Sequence, residues 1–252
     1  MSDLVLIERD GGVAVVRLNR PDKHNAFNRD LSGAFMGALE ALEGDEHVVC
    51  AVVTGAGSAF CAGADMQEAV ARIDENGRSD GMAASIARAA AFRKPLIASV
   101  NGAAYGGGAL LATVCDIRIA SETASFRFPG AAYGLVVGGS QLPRVVGVAV
   151  AKELMFTTRV VRADEALRIG LVNRVVAPEQ LEEAAMEMAR QIAGNSLEAL
   201  IATKEVVDRA LDPTDAARLE AEANLRLRAS PEHHARFRDA AERVARRGGG
   251  EK

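Results

Sequence analysis

Three features of the sequence predict an α/β fold. A strand, a glycine-bearing loop and a helix follow one another more than once. The glycine loops come directly after apolar strands. Everything beyond about residue 178 turns helical. With 252 residues, 49% of them hydrophobic, the chain can bury a substantial core as one large α/β domain or a domain with an appendage. Aromatic content is only 4% and Trp is absent, so that core must be built from small and β-branched side chains.

The elements follow in order. Residues 5–7 and 13–18 alternate apolar and polar side chains around Asp10-Gly11-Gly12, the pattern of a β-hairpin. Asn28 is placed to cap a helix running to about Leu42, with Leu31, Phe35, Leu39 and Leu42 as its apolar stripe. The apolar run 48–54 predicts a buried strand. A glycine-rich loop over 55–63 follows, then a helical stretch capped by Asp65. An Ala-rich helix over 85–92 ends at Lys94-Pro95, and 96–100 is a second buried strand. A second glycine-rich segment, 101–108, leads into an apolar helix over 109–114, and short strands follow at 117–120 and 125–128. The C-terminal pattern predicts helices over 180–193, 197–211, 213–229 and 231–246. The last of these starts at Ser230-Pro231, a capping residue followed by proline at the first helical position. The glycine tail 248–252 is expected to be disordered.

A net charge of −4 gives no electrostatic reason to expect nucleic acid or a membrane surface as partner. Cys50, Cys61 and Cys115 are odd in number, far apart and set among small or apolar residues. That argues against a disulfide framework or a zinc site and favours a reducing compartment. No basic stretch opens the chain and no segment is long enough to span a bilayer, so a cytoplasmic location is expected. His233 and His234 are adjacent and point apart on a helix, and no histidine spacing suits a metal.

The loops admit several readings. Gly55 and Gly57 after a strand partly match a dinucleotide-binding turn. However, Phe60 stands where the third glycine belongs, and that reading predicts nicotinamide cofactor binding. No glycine loop ends in Lys-Ser or Lys-Thr, which excludes a P-loop. The glycines can also serve only tight turns and close packing. Taken together, 60–65 and 101–108 each put small residues where a strand gives way to a helix. Backbone N–H groups there can converge on one oxygen, which is all an oxyanion hole needs.

The chain resembles the crotonase (enoyl-CoA hydratase/isomerase) family. Leu18-Asn19-Arg20-Pro21, Asn25-Ala26-Phe27, Phe60-Cys61-Ala62-Gly63-Ala64-Asp65, Lys94-Pro95 and Val100-Asn101-Gly102 carry the likeness. So do Gly106-Gly107-Gly108, Cys115-Asp116-Ile117 and the segment from Ala166 to Val172, in the family's order and spacing. The resemblance implies a crotonase-like spiral of ββα units over 1–195 with its acyl-CoA site. It further implies a C-terminal α-helical oligomerisation region over 196–252 that forms a homotrimer or a dimer of trimers. It implies coenzyme A thioesters as ligands, CoA being part of the substrate rather than a separate cofactor. By motif position the oxyanion donors are the N–H groups of Ala64 and Gly107, with glycine at 107 expected to clear the ligand's approach. Lys23, His24, Asn25 and Ala26 fall in the loop that lines the CoA nucleotide and pantetheine. Ala62, Gly63, Asp65, Met66, Tyr105, Gly106, Leu110 and Gly130 are further substrate-binding positions on the same resemblance.

One departure is chemical. A hydratase of this family uses two carboxylates, and Leu110 and Gly130 stand at their positions; neither can move a proton. The stretch 131–141 holds no acid, and its loop is about two residues short. Tyr133 is the remaining candidate for a catalytic contact. Tyr105, Cys61, Asp116, Arg127 and Ser140 are weaker ones, each with an ordinary packing role. The expectation is an acyl-CoA enzyme that stabilises a thioester enolate without the usual two glutamates. The rival is a non-catalytic acyl-CoA-binding subunit of the same fold.

Overall fold

The Asp10-Gly11-Gly12 turn folds the N-terminus back on itself. β1 (Val5–Asp10) pairs antiparallel with β2 (Val13–Leu18), Val5 opposite Leu18 and Asp10 opposite Val13. The computed structural model describes residues 3–66, 68, 81–135 and 137–210. Asn28 accepts the Leu31 N–H at 2.9 Å and opens α1 (Arg29–Gly44), whose Leu31, Phe35, Leu39 and Leu42 are fully buried.

Three strand pairs then repeat one plan. β3 (Cys50–Gly55), β5 (Leu96–Val100) and β7 (Ile117–Ser121) lie parallel in one sheet. Each is followed within a few residues by a short strand that leaves for a second sheet: β4 (Ala59–Cys61), β6 (Ala103–Tyr105) and β8 (Ser125–Arg127). Helical residues begin at Met66 after the first pair and α2 is Gly81–Ala90. The second pair leads into α3 (Gly107–Val114), and the third into a 3₁₀ turn, Ala131–Tyr133. This is a spiral of ββα units. α4 (Leu142–Val146), α5 (Val148–Thr157), β9 (Val160–Arg162), α6 (Ala163–Arg168), β10 (Arg174–Val176) and α7 (Leu181–Ala193) complete it. The strand orders are β1-β2-β3-β5-β7-β10 and β4-β6-β8-β9.

The two-residue period of the strands sorts the larger sheet's side chains. Ala14, Val16, Ala51, Val53, Ala98 and Val100 face the main core with α1. Val13, Val15, Cys50, Val52, Ile97 and Ile119 face Leu181, Ala185 and Ala189 of α7. Both faces are covered, which is why β3 and β5 are apolar without alternation.

The chain divides into two compact units, Met1–Ala193 and Gly194–Lys252. In the second, the described residues form α8 (Leu197–Asp208), capped by the Ser196 hydroxyl, which accepts from the Ala199 N–H at 3.4 Å. The helices expected over 213–229 and 231–246, Ser230-Pro231, His233, His234 and the glycine tail lie outside the described residues. Among the described residues no helix is long and apolar enough to cross a membrane. The three cysteines are buried and none is in a disulfide.

Arg118 ties the end of α3 to the sheet. Its Nε donates to Leu171 O at 2.7 Å, and Nη1 donates to the carbonyls of Thr113 and Cys115, which lack helical partners. Burial disfavours its charge, so these carbonyls compensate an otherwise costly cation. Arg118→Leu is expected to destabilise the protein by about 3 kcal/mol or more, measured as a lower urea midpoint with unchanged slope. A loss under about 1 kcal/mol would show that solvent satisfies these carbonyls just as well.

Candidate active site

The first arm of the site is a loop laid on a strand end. His24 and Asn25 both take the left-handed conformation, at φ 49 and 56. Asn tolerates this better than most residues, and here its side chain holds it. Fully buried, Asn25 accepts the Arg20 N–H at 2.9 Å and donates to Ala56 O at 2.9 Å and Ala59 O at 2.8 Å. From there residues 24–27 run beside 62–65. Ala62 N donates to His24 O at 3.0 Å, Phe27 N to Gly63 O at 2.8 Å, and Asp65 N to Phe27 O at 2.9 Å. In a trans peptide the C=O and N–H point opposite ways. With Gly63 O turned to Phe27, the Ala64 N–H must point away from it.

The second arm is the start of α3. Gly106, at φ 54, donates its N–H to Arg127 O at 2.9 Å and accepts the Leu110 N–H at 3.1 Å. By the same reasoning the Gly107 N–H points out of the helix N-terminus. The arms touch because side chains are missing. A Cβ on Gly63 would lie 2.8 Å from Tyr105 O and 3.1 Å from Gly107 N. One on Gly108 would lie 2.0 Å from Cys61 O. Among the described residues, neither the Ala64 nor the Gly107 N–H donates a hydrogen bond. Neither amide has a protein acceptor, and the backbones that carry them meet at Gly63 and Gly107.

A Cβ on Gly107 would lie 2.5 Å from Met82 Cγ, so the small residue there makes room for Met82 of α2. Met82 was not apparent as a neighbour of the site, because nothing in its local sequence points to Gly107.

Beyond the amides the wall is apolar. Leu110 is 7% exposed, and a Cβ on Gly138 would lie 2.4 Å from its Cδ2. A Cβ on the buried Gly130 would lie 2.9 Å from Leu135 O and 3.1 Å from Val137 Cβ. The loop after β8 thus folds over Leu110 with no room for a larger side chain at 130 as it stands. The sequence holds no carboxylate between Glu122 and Glu153.

The other candidates separate by environment. Tyr133 is 58% exposed on its 3₁₀ turn. Lys23, His24, Ala62 and Met66 are exposed, whereas Ala26 is buried. The Tyr105 hydroxyl lies 3.1 Å from the Ser125 hydroxyl. Arg127 Nε donates to Thr158 O at 2.8 Å, and the Asp116 carboxylate accepts the Leu96 N–H at 2.7 Å, both structural contacts. Ser140 is exposed. Burial pushes the Cys61 thiol up to about 12, opposed by the Gly63 N–H at 3.4 Å, so it is a packing group and not a nucleophile. Among the described residues no cluster of His, Cys, Asp or Glu could hold a metal.

A residue with no role assigned from sequence, Arg20, stands beside the first arm. Its guanidinium donates to Ala26 O and lies 3.2 Å from the Asp65 carboxylate, both partners largely buried.

Comparison with known proteins agrees with this architecture. A family model described as enoyl-CoA hydratase/isomerase matches residues 8–246. A short-chain-enoyl-CoA hydratase from Clostridium acetobutylicum is 41% identical over 227 residues, 87% of each chain. The crystal structure of an enoyl-CoA hydratase from Bacillus anthracis superposes with a TM-score of 0.91 at 29% identity, over 95% of this chain and 96% of that one. A structure of a monofunctional enoyl CoA isomerase from M. smegmatis gives 0.74 at 38% identity, over 84% of this chain and 95% of that one.

Proposed function

The chain belongs to the enoyl-CoA hydratase/isomerase family, and on that premise we propose that it is an enzyme that binds acyl-CoA thioesters with the carbonyl oxygen between the N–H groups of Ala64 and Gly107. The observation that carries this reading is the pair of amides without a protein acceptor, on backbones that meet at Gly63 and Gly107. Charge that develops on a thioester oxygen as an enolate forms would be stabilised there, and one such donor is worth about 10²–10³ in rate. Exposed Lys23 and His24, with Ala26 beneath them, suit the CoA nucleotide and pantetheine. CoA enters as part of the substrate. Ala62, Gly63, Met66, Tyr105, Gly106, Leu110 and Gly130 surround the acyl end, with Tyr133 at the mouth as a hydrogen-bonding contact.

In this reading the two-glutamate route is closed, because Leu110 and Gly130 occupy its positions and are packed by Gly138, Leu135 and Val137. A positioned acid or base supplies about 10²–10⁴ per group. CoA esters should therefore raise the melting temperature, while crotonyl-CoA hydration, followed by loss of enoyl absorbance, should run far below the median enzyme rate of about 10 per second. Hydration at that rate would mean another group supplies the proton. Binding of esters with no turnover of any would favour a non-catalytic acyl-CoA-binding subunit.

Assembly as a homotrimer or dimer of trimers is part of the same proposal. Its support is the family and the exposed Val148, Phe156, Val160 and Leu167 on neighbouring α5, β9 and α6. Light scattering should return three or six times the 26.5 kDa chain mass. A monomer that persists at micromolar concentration would refute this part.

A further inference from the structure

The reading above requires that the Ala64 N–H keep one direction, yet the residue before it is the least suited to hold it. Gly63 sits at φ +97 with no side chain, so its own conformational preference does little to fix the 63–64 peptide. Among the described residues two backbone bonds, Phe27 N to Gly63 O and Asp65 N to Phe27 O, tie this stretch to its neighbour at that point. Something must hold residue 65 from the other side.

We propose that the Arg20–Asp65 ion pair is a positioning device that aims the Ala64 amide, with Asn25 as its anchor; this rests on the oxyanion reading of the site. Arg20 reaches across both bonds. One nitrogen of its fork donates to Ala26 O, on the residue before Phe27, and the other to Asp65 Oδ2 at 3.2 Å. The second Asp65 oxygen accepts the Glu68 N–H at 3.4 Å, which caps the helical residues that follow. The carboxylate is thus held at two points, which fixes residue 65, while the Ala26 contact fixes the segment whose Phe27 N–H holds Gly63 O. Arg20 is itself fixed through its backbone: its N–H donates to Asn25 Oδ1 and its carbonyl accepts the Asn25 N–H, each at 2.9 Å. Asn25 and Asp65, whose side chains are engaged with protein atoms, then act on substrate through Ala64. Lysine at 20 would keep the charge but lose the planar fork that serves two acceptors at once.

The test is the infrared band of a ¹³C-labelled thioester carbonyl in bound butyryl-CoA, beside the affinity of the same ester. Wild type should shift the band to lower wavenumber, as two donors polarise the carbonyl. Arg20→Met should lose most of that shift while affinity stays within about threefold, and Arg20→Lys should recover part of it. Should Arg20→Met fail to fold by near-UV circular dichroism, Asp65→Asn carries the test, with a reduced shift expected. A full wild-type shift in Asp65→Asn and in any folded Arg20→Met would overturn the positioning role alone. No shift in wild type would remove the oxyanion reading and this inference with it.

Discussion

The hydrogen bond from Phe27 N to Gly63 O, 2.8 Å long, is the contact on which the site depends. It is an ordinary backbone bond, but it sets a peptide plane and so decides where the Ala64 N–H points. Its counterpart in α3 is helical, Leu110 N to Gly106 O, and sends the Gly107 N–H outward. Neither arm would matter without the other's proximity, and that proximity needs Gly63 and Gly108, whose missing side chains let strand and helix come into backbone contact. The large sheet supplies the rigidity behind this. Each arm follows a fully buried strand, β3 or β5, clamped between α1 and α7.

Much of the frame was legible because it rests on local pattern. The hairpin, the Asn28 cap, the stripe of α1 and the buried strands all follow from periodicity and capping chemistry. β4 and β6 were not legible, since each is three residues long inside a glycine-rich run and is a strand only by pairing with a distant partner. The elements between Leu142 and Val176 are likewise not legible, being short pieces whose pattern is too brief to separate helix from strand. Positions 64 and 107 came from the motifs, but the packing of Met82 against Gly107 did not. Met82 lies 25 residues away in sequence, and only tertiary packing brings it there. Asn25 and Asp65, named from their motifs as ligand contacts, spend their side chains on protein partners.

Family membership and reaction are separate questions. The chain's relatives include proteins named as a hydratase and as an isomerase, while in this chain Gly138 packs on Leu110 and Gly130 on Leu135 and Val137. In the proposed reading, what such a site would keep is the capacity to polarise a carbonyl without side-chain chemistry. That capacity suits any reaction passing through a thioester enolate, provided the proton comes from elsewhere.

The central claim concerns two nitrogen atoms and one oxygen, so a crystal structure with a non-reactive acyl-CoA analogue tests it most directly. The account predicts the thioester oxygen about 2.7–3.1 Å from both Ala64 N and Gly107 N, with the acyl chain against Leu110. An analogue bound in full occupancy with its carbonyl elsewhere, and either amide turned away, would contradict it.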